Sequence, residues 1–380
     1  MQNKKHLPIS WFENLPGSKN EIALIIPQFN ESVNSNFIHR LEYFRKVANE
    51  FVGVMDVIIV DDGSTDGSLL KIKSFMQNNE SALQLAAVSP NMNKVGALHA
   101  AVASINHQFV ILSDFDTDIN GLDSLFDNLP LMKTSPDIMG CYFRMLPFEG
   151  KGGIFLFQQL EYSMSRVCYK FYQREHSVPV MPGAGSCYKR TVLLNIYEQH
   201  SGLRSGEDRE TTLIGLKLGY KTFYLSNTVT FTRPPLSFRS LLKQRVRWNL
   251  GYLETIEKER LFYYYQIRKL SLLGLRTLGD IIRINLVLLF PFALLFTLLI
   301  GWQFLFKIVL LSYCIWVIWP INAVLISPLE SVEFKEKRLL SILSYPLYKI
   351  PLECVTWAIA IYSFVRNRLR AASMSTIGDS

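Results

Sequence analysis

The chain has 380 residues and a formal net charge of +8, from 40 lysine and arginine residues against 32 aspartate and glutamate residues. Hydrophobic residues make up 49% of it and aromatic residues 13%, which excludes a disordered or collagen-like protein. The length suffices for two or three domains. The basic excess points to either nucleic acid or an anionic membrane surface, and the positions of the charges decide between them.

The polar segment 1–19 opens the sequence without an apolar run, so we expect no cleavable signal peptide. The five cysteines are widely scattered and form no C-x-x-C pair, which predicts reduced thiols in a protein that faces the cytosol. Cysteine and histidine residues nowhere cluster at the spacing of a zinc site.

Three short apolar runs rich in isoleucine and valine predict buried parallel strands. They cover Glu21–Pro27, Asp56–Val60 and Phe109–Ser113, and helices are predicted between them at Ser64–Asn78 and Val95–Ser104. The alternation of strands and helices predicts a doubly wound α/β sheet, whose ligands bind at the carboxyl ends of the strands.

Polar side chains follow each of these strands, in the segments 28–31, 61–64 and 114–116. A turn or a helix N-cap explains any one of these clusters, but three in succession favour a ligand site. Asp114 and Asp116 alternate along an extended chain, so their carboxylates share one side and suit Mg²⁺ or Mn²⁺ bridging a diphosphate.

Two later motifs have both a structural and a functional interpretation. Glu207 and Asp208, in G-E-D, either cap the start of a helix or supply a reactive carboxylate. Gln244, Arg247 and Trp248 share one face of a predicted helix. The basic run around them also suits an amphipathic helix that lies on a membrane.

Residues 286–329 are apolar, with Lys307 as their only charged residue. A spanning helix needs about 20 apolar residues, so this stretch predicts two spans with a turn near Gly301–Lys307. Helices of a soluble core are rarely apolar on every face over such a length. By the positive-inside rule, basic residues place both flanks in the cytoplasm: Arg268, Lys269, Arg276 and Arg283 before the spans, and Lys335, Lys337 and Arg338 after them.

A third apolar segment, residues 339–365, contains Pro346, Pro351, Lys349 and Glu353. Its uncharged remainder is short for a span, so it either spans, re-enters or lies in the interface. Lys349 and Glu353 are four residues apart, which places them on one helix face and predicts an ion pair.

Taken in order, P-x-x-N-E, D-D-G-S, N-x-x-K-x-x-A-L, D-x-D, G-E-D and Q-x-x-R-W resemble the motifs of family 2 glycosyltransferases with the GT-A fold. More narrowly, the sequence resembles the membrane-bound polysaccharide synthases, the group of cellulose, chitin and hyaluronan synthases. The resemblance covers roughly residues 20–330. It implies an inverting enzyme that uses a UDP-sugar, with UDP-GlcNAc and UDP-glucose as leading donors, and Mg²⁺ or Mn²⁺ as cofactor.

The resemblance also implies a donor-binding set at the strand ends. Asp61 would hold the uracil or ribose of the donor, and Lys94 would contact the nucleotide. Asp114 would contact the nucleotide sugar, and Asp116, with Asp114, the metal ion. The donor-binding set also includes Pro27, Asn30, Glu31 and Asp62.

Asp208 would be the catalytic base that removes a proton from the acceptor hydroxyl, with Glu207 supporting it. Arg247 and Gln244 would bind the diphosphate, since an arginine holds phosphate oxygens bidentately. Trp248 would offer a flat face to the acceptor sugar. The loop that lines the acceptor pocket contains Gly183 and Gly185.

Two enzymatic functions follow from this resemblance: extension of a polysaccharide, or transfer of a single sugar to a lipid. A membrane-anchored nucleotide-binding protein without activity is the third hypothesis. Expected partners are the UDP-sugar, a saccharide or lipid acceptor, and membrane lipids. Because two or three spans are few for a pore, a homo-oligomer or an export partner is also expected. We expect no nucleic-acid partner, because the basic excess lies around the membrane region.

The expected location is the cell inner membrane, with the catalytic domain in the cytoplasm. The sequence divides into a polar segment 1–19, a GT-A domain 20–233, amphipathic interfacial helices 234–283 and a transmembrane region 284–380.

Overall fold

The computed structural model of the chain describes residues 8–12, 18–202, 205–326 and 338–378. The chain divides into two compact units, residues 1–144 with 179–232 and residues 145–178 with 233–380. Residues 145–178 belong to the second unit, because their apolar side chains pack against residues near positions 316 and 345. The expected bounds 20–233, 234–283 and 284–380 stay a prediction.

The first unit is built on one sheet, which has nine strands within the described residues. The strands are β1 (Ile9–Phe12), β2 (Ile22–Gln28), β3 (Met55–Asp61), β4 (Leu83–Val88), β5 (Phe109–Leu112), β6 (Thr117–Asn120), β7 (Ile138–Pro147), β8 (Ser186–Lys189) and β9 (Lys221–Thr232). Their order across the sheet is β1-β4-β3-β2-β5-β8-β7-β9-β6.

The strands β4, β3, β2 and β5 are parallel neighbours and form the centre of the sheet. This confirms the three predicted strands and the α/β class with a Rossmann-like core. The sheet as a whole is mixed, because β1, β8 and β6 each pair antiparallel with a neighbour. The register of β2 and β3 sets Gln28 opposite Asp61, so their carboxyl ends lie side by side, as parallel pairing requires.

The helices of the first unit alternate with these strands. They are α1 (Phe37–Glu50), α2 (Ser68–Asn78), α3 (Asn93–Ser104), α4 (Leu122–Thr134), α6 (Arg190–Gln199) and α7 (Glu207–Lys217). The predicted helices at 64–78 and 95–104 are confirmed as α2 and α3. The core lies where the apolar faces of α1 and α4 cover β2, β3 and β5, and each large side chain buried there contributes about 1.5–3 kcal/mol.

The second unit is helical. Its helices are α5 (Gly153–Tyr172), α8 (Phe238–Lys258), α9 (Arg260–Arg268), α10 (Leu272–Ile300), α11 (Trp302–Ile326) and α12 (Arg338–Gly378). The predicted helical region that follows the α/β domain is therefore confirmed.

Among the described residues, α10 and α11 are long and apolar enough to cross a membrane, over 272–300 and 302–322. In an 18-residue apolar window of each helix, only 17% of the residues in α10 and 11% of those in α11 are buried. This level of exposure is unusual for helices of a soluble core. Gly301 separates the two helices at the predicted turn and has a positive φ of 146°. Residues 327–329 of the predicted hairpin, and the flanking Lys335 and Lys337, lie outside the described residues.

The third apolar segment forms one helix, α12, which continues through Pro346 and Pro351. It is not one of the candidate spans found in the part of the chain that the structure describes. The predicted pairing of Lys349 with Glu353 is confirmed, at 2.9 Å between Nζ and Oε1. Both residues also pair with other helices of the second unit, so neighbouring side chains compensate their charges.

Candidate active site

Asp61 ends β3 at the carboxyl edge of the sheet and is almost fully buried. Its carboxylate accepts hydrogen bonds from Nε2 of Gln28 and from the backbone N–H of Ser64, the latter at 3.1 Å. These bonds close the turn after β3 and orient the carboxylate. Whether Asp61 also binds the donor stays a prediction.

The neighbouring Asp62 stabilises the loops at this edge of the sheet through hydrogen bonds. Its carboxylate accepts hydrogen bonds from Nδ2 of Asn91 at 2.9 Å and from the backbone N–H of Met92 at 2.8 Å. It thereby ties the loop before α3 to the turn after β3. Gly63 fits between them with φ +70°, and a Cβ there would lie 2.9 Å from the backbone nitrogen of Asn91. Any L residue at position 63 would be strained.

The P-x-x-N-E segment lines the same edge of the sheet. Pro27 lies in β2 opposite Val60. Oδ1 of Asn30 accepts a hydrogen bond from the backbone N–H of Thr65 at 2.8 Å, which joins the segment to the turn after β3. Burial raises the pKa of Glu31, and the carboxylates of Asp66 and Asp114 add to this rise, so Glu31 shares the negative field of the D-x-D loop.

Lys94 lies among the predicted acidic site residues. Its Nζ is 2.7 Å from Oδ1 of Asp114 and 3.8 Å from Oε1 of Glu207. Although burial opposes its charge, the carboxylates of Asp114, Asp208 and Glu207 raise the pKa of Lys94 above its ordinary value. Asp114 follows Lys94 by 20 positions in the sequence and Glu207 follows it by 113, and the fold joins them around one ammonium group.

The negative charge around Asp114 and Asp116 suits a divalent cation. Burial and the neighbouring charges of Asp114 and Glu31 raise the pKa of Asp116 to about 6, which indicates an excess of negative charge. Within the described residues, no set of three aspartate, glutamate, histidine or cysteine side chains forms a metal site. Two carboxylates therefore suit Mg²⁺ or Mn²⁺ that takes its other ligands from the diphosphate of a donor.

Arg40, on α1, holds the D-x-D loop and was not predicted from the sequence. It is buried, and it pairs with the carboxylate of Asp118. Its Nε donates to the carbonyl oxygen of Phe115 at 2.7 Å and its Nη2 to that of Thr117 at 2.8 Å. The carboxylate of Asp118 thus forms an ion pair with this arginine. The sequence feature that could have indicated this role is the position of Arg40 on the apolar face of α1.

Asp208 lies half-buried at the start of α7, where three acidic residues occupy the first turn. Burial raises its pKa, whereas the ammonium group of Lys94 and a hydrogen bond from the backbone N–H of Gly183 act in the opposite direction. Gly185, in the same loop, packs against the side chain of Thr230. The cavity beside the two carboxylates of α7 is lined by Leu98, Met181, Gly183, Ser186, Tyr188, Tyr197, Glu207, Asp208 and Thr211, among others.

A buried histidine supports the turn that begins α7. Nε2 of His200 lies 3.1 Å from the carbonyl oxygen of Glu207, and its Nδ1 accepts from the backbone N–H of Gly202 at 3.0 Å. Since Nδ1 accepts, Nε2 carries the proton and donates to Glu207. One turn along the helix, Glu210 accepts two hydrogen bonds from Ser201. No motif in the sequence pointed to His200 or Glu210.

The Q-x-x-R-W residues lie on α8, in the second unit. Gln244 is half-buried, and Arg247 and Trp248 are exposed. The guanidinium of Arg245 lies over the ring of Trp248, 4.4 Å from its centroid. The assignment of Gln244 and Arg247 to the diphosphate and of Trp248 to the acceptor stays a prediction.

Comparison with known proteins identifies a family. The model of glycosyl transferase family group 2 matches residues 109–327, more than half of the chain. The chain is 26% identical over 242 residues to an N-acetylglucosaminyltransferase of Bradyrhizobium diazoefficiens, covering 60% of this chain and 48% of that protein. It is 25% identical over 238 residues to the Azorhizobium caulinodans protein of the same name, covering 60% and 58%. This chain therefore spans about half the length of the curated relatives it matches.

Among solved structures, the mannosyltransferase PcManGT from Pyrobaculum calidifontis, in complex with GDP-Man and Mn²⁺, is similar over 91% of this chain and 86% of that chain. The sequence identity in that comparison is 17% and the TM-score is 0.49.

Proposed function

Because the chain belongs to glycosyl transferase family group 2, we propose that it transfers a sugar from a nucleotide-activated donor to a hydroxyl group of an acceptor. The observation that carries this proposal is the half-buried carboxylate of Asp208, which lies in one charge cluster with Lys94, Asp114 and Glu207. Such a cluster offers both a base and a polar binding site, within one unit of the chain.

In the proposed mechanism, Asp208 accepts the proton of the acceptor hydroxyl as its oxygen attacks the anomeric carbon of the donor. Burial and the charge of Asp114 raise the pKa of Asp208. The charge of Lys94 and the hydrogen bond from Gly183 oppose this rise and favour the ionised form that a base requires. The bond between the anomeric carbon and the diphosphate breaks, and attack from the opposite face inverts the anomeric centre. Glu207 shares the ammonium of Lys94 and supports the position of the base.

Asp114 and Asp116 would hold Mg²⁺ or Mn²⁺, which supplies positive charge to the leaving diphosphate when bound. Arg40 keeps the D-x-D loop in place through its bonds to Asp118 and to two backbone carbonyls. The remaining donor-side residues are Pro27, Asn30, Glu31, Asp61, Asp62, Gln244 and Arg247.

We propose UDP-GlcNAc as the donor, with UDP-glucose as the alternative. The support is the shared name of the curated relatives, N-acetylglucosaminyltransferase, together with family membership. A growing saccharide is the proposed acceptor, with Trp248, Gly183 and Gly185 on the acceptor side. Transfer of a single sugar to a lipid is the second candidate, favoured by the two exposed apolar helices that would bring the enzyme to its acceptor.

We further propose that α10 and α11 cross the cell inner membrane and that the catalytic unit lies in the cytoplasm. The basic residues that precede the uncharged part of α10, Arg268, Lys269, Arg276 and Arg283, support this orientation. Membrane lipids are then obligatory partners. A homo-oligomer or an export partner would be needed if the product is secreted.

The test is incubation of membranes that contain the protein with labelled UDP-GlcNAc, UDP-glucose and UDP-galactose, in Mg²⁺ or Mn²⁺, followed by sizing of the products. A ladder of long products supports saccharide extension, and one lipid-soluble product supports the lipid acceptor. Asp208→Asn should abolish transfer and retain UDP binding. Binding of UDP by the wild type without turnover of any UDP-sugar would instead support a non-enzymatic nucleotide-binding protein.

A further inference from the structure

A buried ionic cluster in the second unit connects α8, the helix of the Q-x-x-R-W motif, to two other helices. A carboxylate oxygen of Glu161, on α5, lies 2.5 Å from Nη2 of Arg245 on α8. The other carboxylate oxygen lies 2.7 Å from Nζ of Lys349 on α12. The three side chains are at most 14% exposed. A carboxylate so far removed from water needs compensating charge, and the removal of Glu161 leaves the buried Arg245 without its carboxylate partner and Lys349 with Glu353 alone.

Arg245 connects this ionic cluster to the Q-x-x-R-W motif. It is adjacent in sequence to Gln244, and its guanidinium lies over the ring of Trp248 at 4.4 Å from the centroid. A guanidinium stacks on an indole face in a defined orientation, and its bond to Glu161 keeps it there. Glu161 therefore acts on the Trp248 ring through Arg245, without touching it.

The helix α12 holds α8 at further points beyond the cluster. Nδ2 of Asn249 donates to Oγ1 of Thr356 at 3.1 Å. The rings of Tyr252 and Trp357 meet edge to face, with centroids 5.8 Å apart. Since these contacts follow directly after Trp248 in the sequence, α12 supports the half of α8 that continues from the motif.

We propose that Glu161 and Lys349 are positioning residues for sugar transfer, which orient Trp248 through Arg245 and so determine how tightly the acceptor binds. The inference rests on the proposed function, in which Trp248 offers its ring to the acceptor sugar. Positioning of an acceptor group changes the KM for the acceptor, whereas hydrolysis of the donor by water does not use that group.

The first experiment measures hydrogen–deuterium exchange in the full-length protein, for peptides that cover residues 238–258. Glu161→Gln removes the charge and keeps the size of the side chain, and we expect several-fold faster exchange in these peptides. Asp280→Asn is the matched control, because the Asp280 side chain has the same 11% exposure and pairs with Arg276 and Arg283 of its own helix. Equal exchange in both variants would overturn the inference.

The second experiment measures kinetics with UDP-GlcNAc and a short N-acetylglucosamine oligosaccharide as acceptor. In Glu161→Gln we expect the acceptor KM to rise about tenfold, and UDP release without acceptor to stay within about twofold of the wild type. Lys349→Gln should give the same pattern, which provides a second route if Glu161→Gln does not fold. An unchanged acceptor KM in both variants contradicts the inference.

A double-variant cycle then tests whether Glu161 acts through Trp248. Glu161→Gln in a Trp248→Ala background should raise the acceptor KM no further, because the same interaction is already lost. An additive rise would overturn the inference and leave the proposed function intact. If the wild type transfers no sugar from any donor, the proposed function fails instead, and the exchange comparison still decides whether Glu161 orders α8.

Discussion

The backbone N–H of Gly183 donates a hydrogen bond to the carboxylate of Asp208, and the two residues are in direct contact. A Cβ built on Gly183 would lie 2.2 Å from Oδ1 of Asp208, far inside van der Waals distance. The loop before β8 therefore reaches the start of α7 only because position 183 lacks a side chain. This contact places a hydrogen-bond donor against the proposed base.

Gly183→Ala should lower the rate of sugar transfer by about 100-fold, because a displacement of about 1 Å at a reacting group has this effect. Binding of UDP should persist, since the donor-side residues Pro27 and Asp61 lie on β2 and β3, outside this loop. Gly153→Ala is the control, because no atom lies within 4 Å of a Cβ built there. A wild-type transfer rate in Gly183→Ala would refute the assignment of Asp208 as base.

Asp116→Asn should reduce transfer by about 100-fold or more and remove its response to Mg²⁺ or Mn²⁺, because the variant lacks one of two carboxylates proposed for the cation. A chelator should stop transfer by the wild type, and added Mn²⁺ should restore it. Asp118→Asn, two positions away, should keep its metal response, since that carboxylate pairs with Arg40. Full activity in Asp116→Asn would end the metal assignment.

Arg40→Met should destabilise the first unit by about 3 kcal/mol, because it leaves the carboxylate of Asp118 and two carbonyl groups without their donor. The measurement is thermal unfolding of the detergent-solubilised full chain. Arg45→Met, on the same helix, is the matched control: its partner Glu42 lies on the surface, so we expect no measurable change in stability. Equal effects of the two changes would contradict a special role for Arg40.

We expect the stability of the folded protein to depend on pH through the carboxyl group of Glu207. Burial and the charge of Asp208 raise its pKa to about 7, from an ordinary value of 4.5. The folded state then binds the proton more tightly than the unfolded state. The stability that this group contributes is complete below the ordinary pKa and is lost as the pH rises through about 7.

Glu207→Gln mimics the protonated acid and should therefore raise the melting temperature relative to the wild type at about pH 8, and much less at about pH 5. The comparison is made with a chelator present, so that a bound cation does not alter the charges. Glu42→Gln, at a surface pair, should show no such difference. A Glu207→Gln effect of the same size at both pH values would show that the raised pKa is not present.

Short-range patterns in the sequence were sufficient for the types of the central elements and for the positions of the proposed site residues at one edge of the sheet. Runs of isoleucine and valine predict β2, β3 and β5, because a buried parallel strand is apolar on both faces. The acidic strand ends follow from the same pattern, since parallel strands carry their ligand site at one edge. The pair of apolar helices separated at Gly301 was likewise predictable from length and composition.

Contacts between distant segments were not predictable in this way, because they depend on which elements the chain topology brings together. Arg40 contacts the D-x-D loop from 75 positions away. Its position on the apolar face of α1 indicates burial, but the sequence does not show which segment it contacts. Residues 145–178 lie between segments of the sheet, yet α5 packs in the helical unit and supplies Glu161 to α8 and α12. Lys349 and Glu353 illustrate both cases. Their spacing of four predicts the pair on one helix, whereas the partners that compensate their charges came only from the packing of two other helices, α10 and α5.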